Sequence, residues 1–293
     1  MIRIGLAGWG DHPSLYRHAR QAGGKLTAYS GWFDIVEVDA SFYAIQPENV
    51  TAKWTSETPA GFGFIVKAYQ GMTGHARGGV PYPDTAAMFA AFRASLEPMR
   101  EAGKLLAVLF QYPPWFDCTR EHVDKLRETR ALMDGIPCAL EFRNRTWFED
   151  GMRDKTLAFM KREGWIHSVC DEPQAGEGSI PIVEEATDPG LTIVRFHGRN
   201  AAGWNAGGWN AGVPGWRDVR YLYRYAEAEL KEWMQRLKRL EAQSGTVCII
   251  FNNNSGGDAA DNALQLMRML GLRPPRGSFD RLEEPEQMDL FEL

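Results

Sequence analysis

Histidine is scarce and scattered: six residues, with no H-x-H or H-E-x-x-H spacing. That argues against the tightly bound zinc sites such spacings create. The four cysteines, Cys118, Cys138, Cys170 and Cys248, form no C-x-x-C pair, so neither a zinc knuckle nor a redox pair is indicated. Three of them, Cys138, Cys170 and Cys248, lie inside apolar runs, as buried free thiols in a reducing compartment do. No apolar stretch approaches the roughly 20 residues of a membrane span. The amino terminus enters a strand-like pattern at once, without the charged start and long apolar run of a signal peptide. Positive charge is not in surplus: 33 Lys and Arg against 38 Asp and Glu give a net charge of -5. Nucleic acid would therefore need a local basic patch. No Gly-rich dinucleotide motif follows a strand pattern, which places hydrolysis or isomerisation ahead of redox chemistry. The expectation is a soluble, cytoplasmic protein with no membrane partner.

What the chain has is alternation. Eight short runs dense in Val, Ile, Leu and Phe read as parallel strands buried on both faces: Ile2–Gly8, Ile35–Asp39, Gly63–Lys67, Leu105–Phe110, Pro137–Phe142, Trp165–Cys170, Leu191–His197 and Thr246–Phe251. Between most of them lie helical patterns over Thr85–Ala102, Thr119–Met133, Met152–Glu163, Val219–Ala242 and Asp258–Leu270. The segment Asp171–Gly190 shows no clear helix, so the sixth crossover is expected to be degenerate. Eight such units in 293 residues predict an α/β fold, a TIM-type (β/α)8 barrel forming a single domain over residues 1–272. Residues 273–293 read as a flexible C-terminal linker and terminal peptide.

In a barrel, the carboxyl ends of all strands face one side, where active sites lie. The residues that fall there are polar. Trp9 follows strand one. Glu37 and Asp39 share a side of strand two. Lys67 ends strand three and Gln111 strand four. Glu141 and Arg143 share a side of strand five, Asp171 ends strand six, Arg195 and His197 share a side of strand seven, and Asn252 and Asn253 follow strand eight. Unpartnered charge in an apolar barrel costs several kcal/mol, so these groups either pair among themselves or receive a ligand. The ligand reading takes Glu141, His197, Lys67, Glu37 and Asp171 as catalytic candidates. Arg143, Arg195 and Lys67 would hold anionic oxygens, and Glu141 and His197 would move protons. Trp9, Asp39, Tyr43, His75, Gln111, Trp147, Asn252 and Asn253 would line the ligand. Taken alone, a lysine here is more often an ion-pair partner, and the asparagines can simply tie loops back to the backbone. No metal is assigned; Glu37, Asp39, Glu141, Asp171 and His197 could at most make a weak oxygen-rich divalent site. The loops near Gly71–Gly79 and Gly198–Trp216 could act as lids, the latter carrying the duplicate Gly203-Trp-Asn-Ala-Gly207 and Gly208-Trp-Asn-Ala-Gly212. Trp204 and Trp209 would either stack on a ligand or pin that loop.

A series of short motifs in order carries a family likeness: Ala7-Gly8-Trp9; Phe33-Asp-Ile-Val-Glu-Val-Asp-Ala-Ser-Phe-Tyr43; Phe62-Gly-Phe-Ile-Val-Lys67; Leu109-Phe-Gln-Tyr-Pro-Pro114; Glu141-Phe-Arg-Asn-Arg-Thr-Trp-Phe148; Val194-Arg-Phe-His-Gly198; Arg220-Tyr-Leu-Tyr223; and Phe251-Asn-Asn253. With these the chain, from Ile4 to about Leu272, resembles the YecE-like family, domain of unknown function 72. The resemblance implies a TIM-type barrel with Glu37, Lys67, Gln111, Glu141, Arg143, Asp171, His197, Asn252 and Asn253 in a shared polar mouth. It supplies no activity. That barrel is similar to those of the xylose isomerase and endonuclease IV group, which by fold analogy implies sugar-phosphate or nucleic-acid chemistry. The chain lacks the histidine-rich ligand set of endonuclease IV. It also has Asp39 where the family pattern has Asn, and the Gly-Trp-Asn repeat enlarges its seventh loop.

The tail adds a second resemblance. Gln287-Met-Asp-Leu-Phe291 is similar to the bacterial sliding-clamp binding peptide, with Leu290 and Phe291 to fill an apolar pocket and Gln287 to bond at its rim. Two functions of different class therefore stand open. One is an enzyme acting on a small anionic, phosphorylated or nucleic-acid-derived ligand. The other is a non-catalytic nucleic-acid-binding adaptor recruited through the tail.

Overall fold

A computed structural model describes residues 1–16, 24–176, 179–205 and 219–275. Eight strands, β1 (Ile2–Ala7), β2 (Ile35–Val38), β3 (Gly63–Lys67), β4 (Leu105–Gln111), β5 (Cys138–Glu141), β6 (Trp165–Asp171), β7 (Leu191–Phe196) and β8 (Thr246–Phe251), follow one another around a closed barrel. All neighbours are parallel. The closing pair runs from Ile2 opposite Val247 to Leu6 opposite Phe251. The TIM-type barrel expected from the sequence is thus the fold, and closure leaves its sheet without a free edge.

Helices fill the connections: α1 (Pro13–Tyr16), α2 (Gly24–Tyr29), α3 (Ala40–Tyr43), α4 (Glu48–Ser56), α5 (Thr85–Glu101), α6 (Arg120–Leu132), α7 (Arg153–Glu163), α8 (Ala201–Asn205), α9 (Glu227–Glu241) and α10 (Asp258–Met269). Their ends follow local chemistry. The Asp84 carboxylate accepts the Ala87 N–H at 2.7 Å to start α5, and Thr119 caps α6 through the His122 N–H. Gly164, at φ +72°, stops α7 in the left-handed region. Helix α5 buries Met88, Phe89, Phe92, Leu96 and Met99 at helical spacing against the sheet.

Period-two alternation splits each strand between two cores. Ile35, Ile65, Leu109, Ala139, Ile166, Ile193 and Ile250 fill the barrel interior. Val36, Phe64, Val66, Phe110, Leu140, Val194 and Phe251 face the helices. The interior row continues upward into Glu37, Lys67, Gln111, Glu141, Arg195 and Asn252, so apolar packing below hands over to polar groups at the mouth.

Two expectations change in detail. The helix read over Val219–Ala242 is interrupted: Val219 and Arg220 are helical, residues 221–226 are not, and the long helix begins at Glu227. Asn262 is the reason: its amide accepts the Tyr225 N–H and donates to the Tyr225 carbonyl, both at 3.0 Å, which holds that residue extended. Glu229 then accepts the Ala226 N–H at 2.8 Å and starts the helix. The sixth crossover carries no helix among its described residues, as its composition implied. Among the described residues no helix is long and apolar enough to cross a membrane.

Candidate functional site

The barrel mouth holds an ion network that spans opposite walls. Arg195 grips Glu37 in a fork, Nε to Oε2 at 2.8 Å and Nη2 to Oε1 at 2.6 Å. Its Nη1 donates to Glu141 at 2.9 and 2.7 Å. Arg143 reaches the same Glu141 at 2.7 Å and extends to Glu172 at 2.6 Å. Ser168 adds a hydroxyl donor to Glu141 at 3.2 Å. Glu37, Glu141, Arg143, Glu172 and Arg195 are all buried. Strands β2, β5, β6 and β7 are therefore braced across the interior by charge-assisted hydrogen bonds.

Electrostatics divides these groups into roles. Burial works against the charge on Glu141, but Arg195 and Arg143 outweigh it and hold the carboxyl well below the usual range. Burial pushes Glu37 upward more than Arg195 pulls it down. Burial likewise raises Glu172, to about 7, against the pull of Arg143 and the Ile180 N–H. Three carboxyls facing two guanidiniums leave one negative charge over, and a proton on the Glu37 or Glu172 side relieves it.

His197 sits among them as a neutral ring. Burial first, then Arg143 and Arg195, hold its imidazole well below its ordinary value. Arg143 Nη2 lies 2.9 Å from His197 Nε2, and a guanidinium cannot accept, so Nε2 must. The proton is then on Nδ1. The Asn252 amide is 3.0 Å from Nδ1, which assigns its oxygen to that contact. Glu141 and His197 are thus both engaged on every side, and Glu141 cannot be altered without touching two buried arginines.

Above this floor lies a layer that solvent reaches. Lys67 stands 3.4 Å from Asp39 and 4.9 Å over the Phe42 ring. Gln111, Asn252 and Trp9 are partly exposed, Trp9 set edge-on against Trp54 at 5.2 Å. Trp204, on α8, is itself buried; it lies over Arg143 at 5.4 Å, and its ring is 6.2 Å from His197. Tyr221 completes the layer, its ring 6.1 Å from His197 and 6.3 Å from Trp204. Burial alone would raise its phenol, but Arg220, Arg143, Lys67 and Arg195 outweigh that and bring it down.

Not every candidate meets the others. Asp171 ends β6 on the outward parity, where it accepts three bonds from Arg199 and the Trp233 indole N–H at 2.5 Å. Trp147 is buried in a stack with Phe142 and gives its N–H to the Phe116 carbonyl. Asn253 binds the Tyr223 carbonyl and Asn262. Tyr43 and His75 stand on the rim. Gln287, Leu290, Phe291 and Trp209 lie outside the described residues. The sequence reading missed Glu172 and Tyr221; the Arg220-Tyr221 step after β7 was the available signal for the second. A cavity of about 540 Å³ opens beside the mouth rather than over it, lined by Glu172, Gln174, Ile182, Arg199 and Arg236 among others.

Glu141, Cys170 and His197 each offer one ligand atom within 4.8 Å of the others. Arg143 and Arg195 already bond to that carboxylate, and Arg143 to that imidazole, so a cation placed there meets two guanidiniums first. The donor set does not suit a metal while the network stands.

Comparison with known proteins places this barrel. A family model described as "Protein of unknown function DUF72" matches residues 3–287. The chain belongs to the DUF72 family. It is 55% identical to the UPF0759 protein YunF of Bacillus subtilis (strain 168) over 291 residues, covering 99% of this chain and all of that one. A DUF72 family protein from Enterococcus faecalis V583 superposes with a TM-score of 0.85 at 36% identity, over 93% of this chain and 96% of the other. One from Thermotoga maritima MSB8 gives 0.76 at 27%, over 92% and 99%. The DUF72 membership agrees with the motif likeness and with the barrel.

Proposed function

We propose that the barrel mouth is an active site for a small phosphorylated or nucleic-acid-derived ligand, which it hydrolyses or isomerises. The observation that carries this reading is the two-layer mouth: a buried floor of Glu37, Glu141, Arg143, Glu172 and Arg195 under a solvent-reachable Lys67, Gln111, Asn252 and Tyr221. A fold seldom gains from such a buried cluster, because an apolar replacement is often as stable. Lys67 takes the anionic oxygens. Gln111, Asn252, Asp39 and Trp9 orient the ligand. Tyr221, rather than the fully engaged Glu141 and His197, moves the proton at the reacting atom. The floor keeps a fixed field beneath it. The experiment is a thermal-shift screen of phosphosugars and nucleotides on the full chain. A ligand at 100 times its Kd adds about 2.7 kcal/mol, roughly 4 °C for a chain of this length. Lys67→Ala should abolish the shift and Tyr221→Phe should keep it while losing turnover. No shift with any phosphorylated compound would remove this reading.

The tail favours a second reading, an adaptor recruited to DNA through Gln287, Leu290 and Phe291. Deleting Gln287–Leu293 should then abolish association with a bacterial sliding clamp. An unaffected or absent association defeats it.

A further inference from the structure

The rim of the mouth carries aromatic side chains that the core does not use. Tyr43 and Trp115 are 52% and 49% exposed, and among the described residues they are the aromatic side chains left largely in solvent. They do not stand alone. Phe42 packs edge-on against Tyr43 at 5.3 Å and against His75 at 5.2 Å, and His75 packs against Trp115 at 5.9 Å. The four rings form one strip across the loops after β2, β3 and β4. Its inner end is Lys67, over the Phe42 ring.

The strip is held in place. Gln70 donates its N–H to the Phe42 carbonyl at 2.9 Å and accepts the His75 N–H at 3.0 Å, tying two of the loops together. Ser41 donates to the Lys67 and Val38 carbonyls at 2.6 and 2.8 Å. Thr73 lies 2.8 Å from His75 Nδ1 and fixes that ring. Burial first, then Lys67 and Arg143, lowers the His75 imidazole to about 4, so near neutral pH it is an uncharged ring. Neutral rings set edge to face beside a lysine, with Tyr43 and Trp115 exposed, offer stacking at one end and an anion contact at the other.

We infer that the Tyr43–Phe42–His75–Trp115 strip is the base-stacking platform of the mouth, and that its ligand is a nucleotide with the base on the strip and the phosphate at Lys67. This rests on the reading of the mouth as a site for phosphorylated ligands and narrows it. A planar base presents a π-face to rings in any orientation, whereas a bare phosphosugar leaves the outer half of the strip uncovered. Asp39 holds Lys67 at 3.4 Å, and the arriving phosphate competes for the ammonium.

The test is calorimetric titration of the full chain with adenosine 5′-monophosphate and with ribose 5-phosphate. The nucleotide should bind more tightly by on the order of tenfold. Trp115→Ala and Tyr43→Ala, each made separately at a half-exposed position, should reduce that preference, and Trp115→Ala should leave ribose 5-phosphate binding unchanged. Trp115→Phe should retain it, and Lys67→Ala should weaken both ligands. Equal binding of the two probes, or a preference that survives both alanine variants, overturns the platform while leaving the phosphate site standing. If neither probe binds, the platform falls, while the phosphate reading stands or falls with the wider screen of phosphorylated compounds.

Discussion

Replacing Arg195 by methionine tests the buried floor at its centre. Methionine keeps much of the side-chain length and removes the guanidinium. Glu37 makes its side-chain hydrogen bonds to Arg195, at 2.6 and 2.8 Å, so both of its oxygens lose their donors. Glu141 loses one arginine and keeps Arg143 and Ser168. Breaking a buried pair from one side costs about 3–5 kcal/mol. At about 2.1 cal/mol/K per residue, this chain unfolds with roughly 0.6 kcal/mol/K, so the melting temperature should fall by about 5–8 °C. The pH dependence gives a second handle. Without Arg195 the folded-state value of Glu37 rises further above its unfolded value. A group raised in this way contributes stability that is present below the unfolded value and lost as pH rises through the folded one. The deficit of the variant should therefore be larger at pH 8 than at pH 5. Calorimetric scans at both pH values, with the double variant Glu37→Leu/Arg195→Met alongside, measure it. The double variant should recover about half of the loss or more, since no orphaned Glu37 carboxylate remains. A deficit below about 1 kcal/mol at pH 8, or one equal at both pH values, refutes the account of the floor.

Two further outcomes follow from single residues. His167 is buried with its Nε2–H on the Val183 carbonyl, and burial lowers it from 6.5 to about 4. Its contribution is whole above the unfolded value and is lost as pH falls toward 4, about 3 kcal/mol in all. The loss of stability between pH 6.5 and 4 should be smaller by about that amount in His167→Gln than in the parent, measured by denaturant titration. Gly198 sits at φ +82°, and a Cβ there would come within 2.5 Å of the Tyr223 Cβ. Gly198→Ala should cost at least about 2 kcal/mol by the same titration, from left-handed strain and overpacking together; a neutral effect would contradict the described loop.

Much of the barrel and half of the mouth were legible because parallel strands obey a parity rule. Lys67, Gln111, Glu141, Arg195 and Asn252 each lie an even number of residues from an interior apolar neighbour, Ile65, Leu109, Ala139, Ile193 and Ile250. Applied strictly, the same rule turns Asp171 and Asn253 outward, where the structure has them. Pairings were not legible. Nothing in the chain says that Arg195 grips Glu37, 158 positions away, or that Arg143 is shared between Glu141 and Glu172. Glu172 and Tyr221 follow strands in loops without a period, and Trp147 lies in a 3-10 turn whose packing depends on Phe116 and Phe142.

The charged brace across the mouth is made wholly from strand ends and the first residues beyond them. Nothing in it depends on the length of the segments above. The connection after β7 could therefore gain a further copy of its uncharged Gly-Trp-Asn-Ala-Gly unit without changing a single charge of the brace. A lineage, or an engineer, can trial one connecting sequence after another on an unchanged foundation.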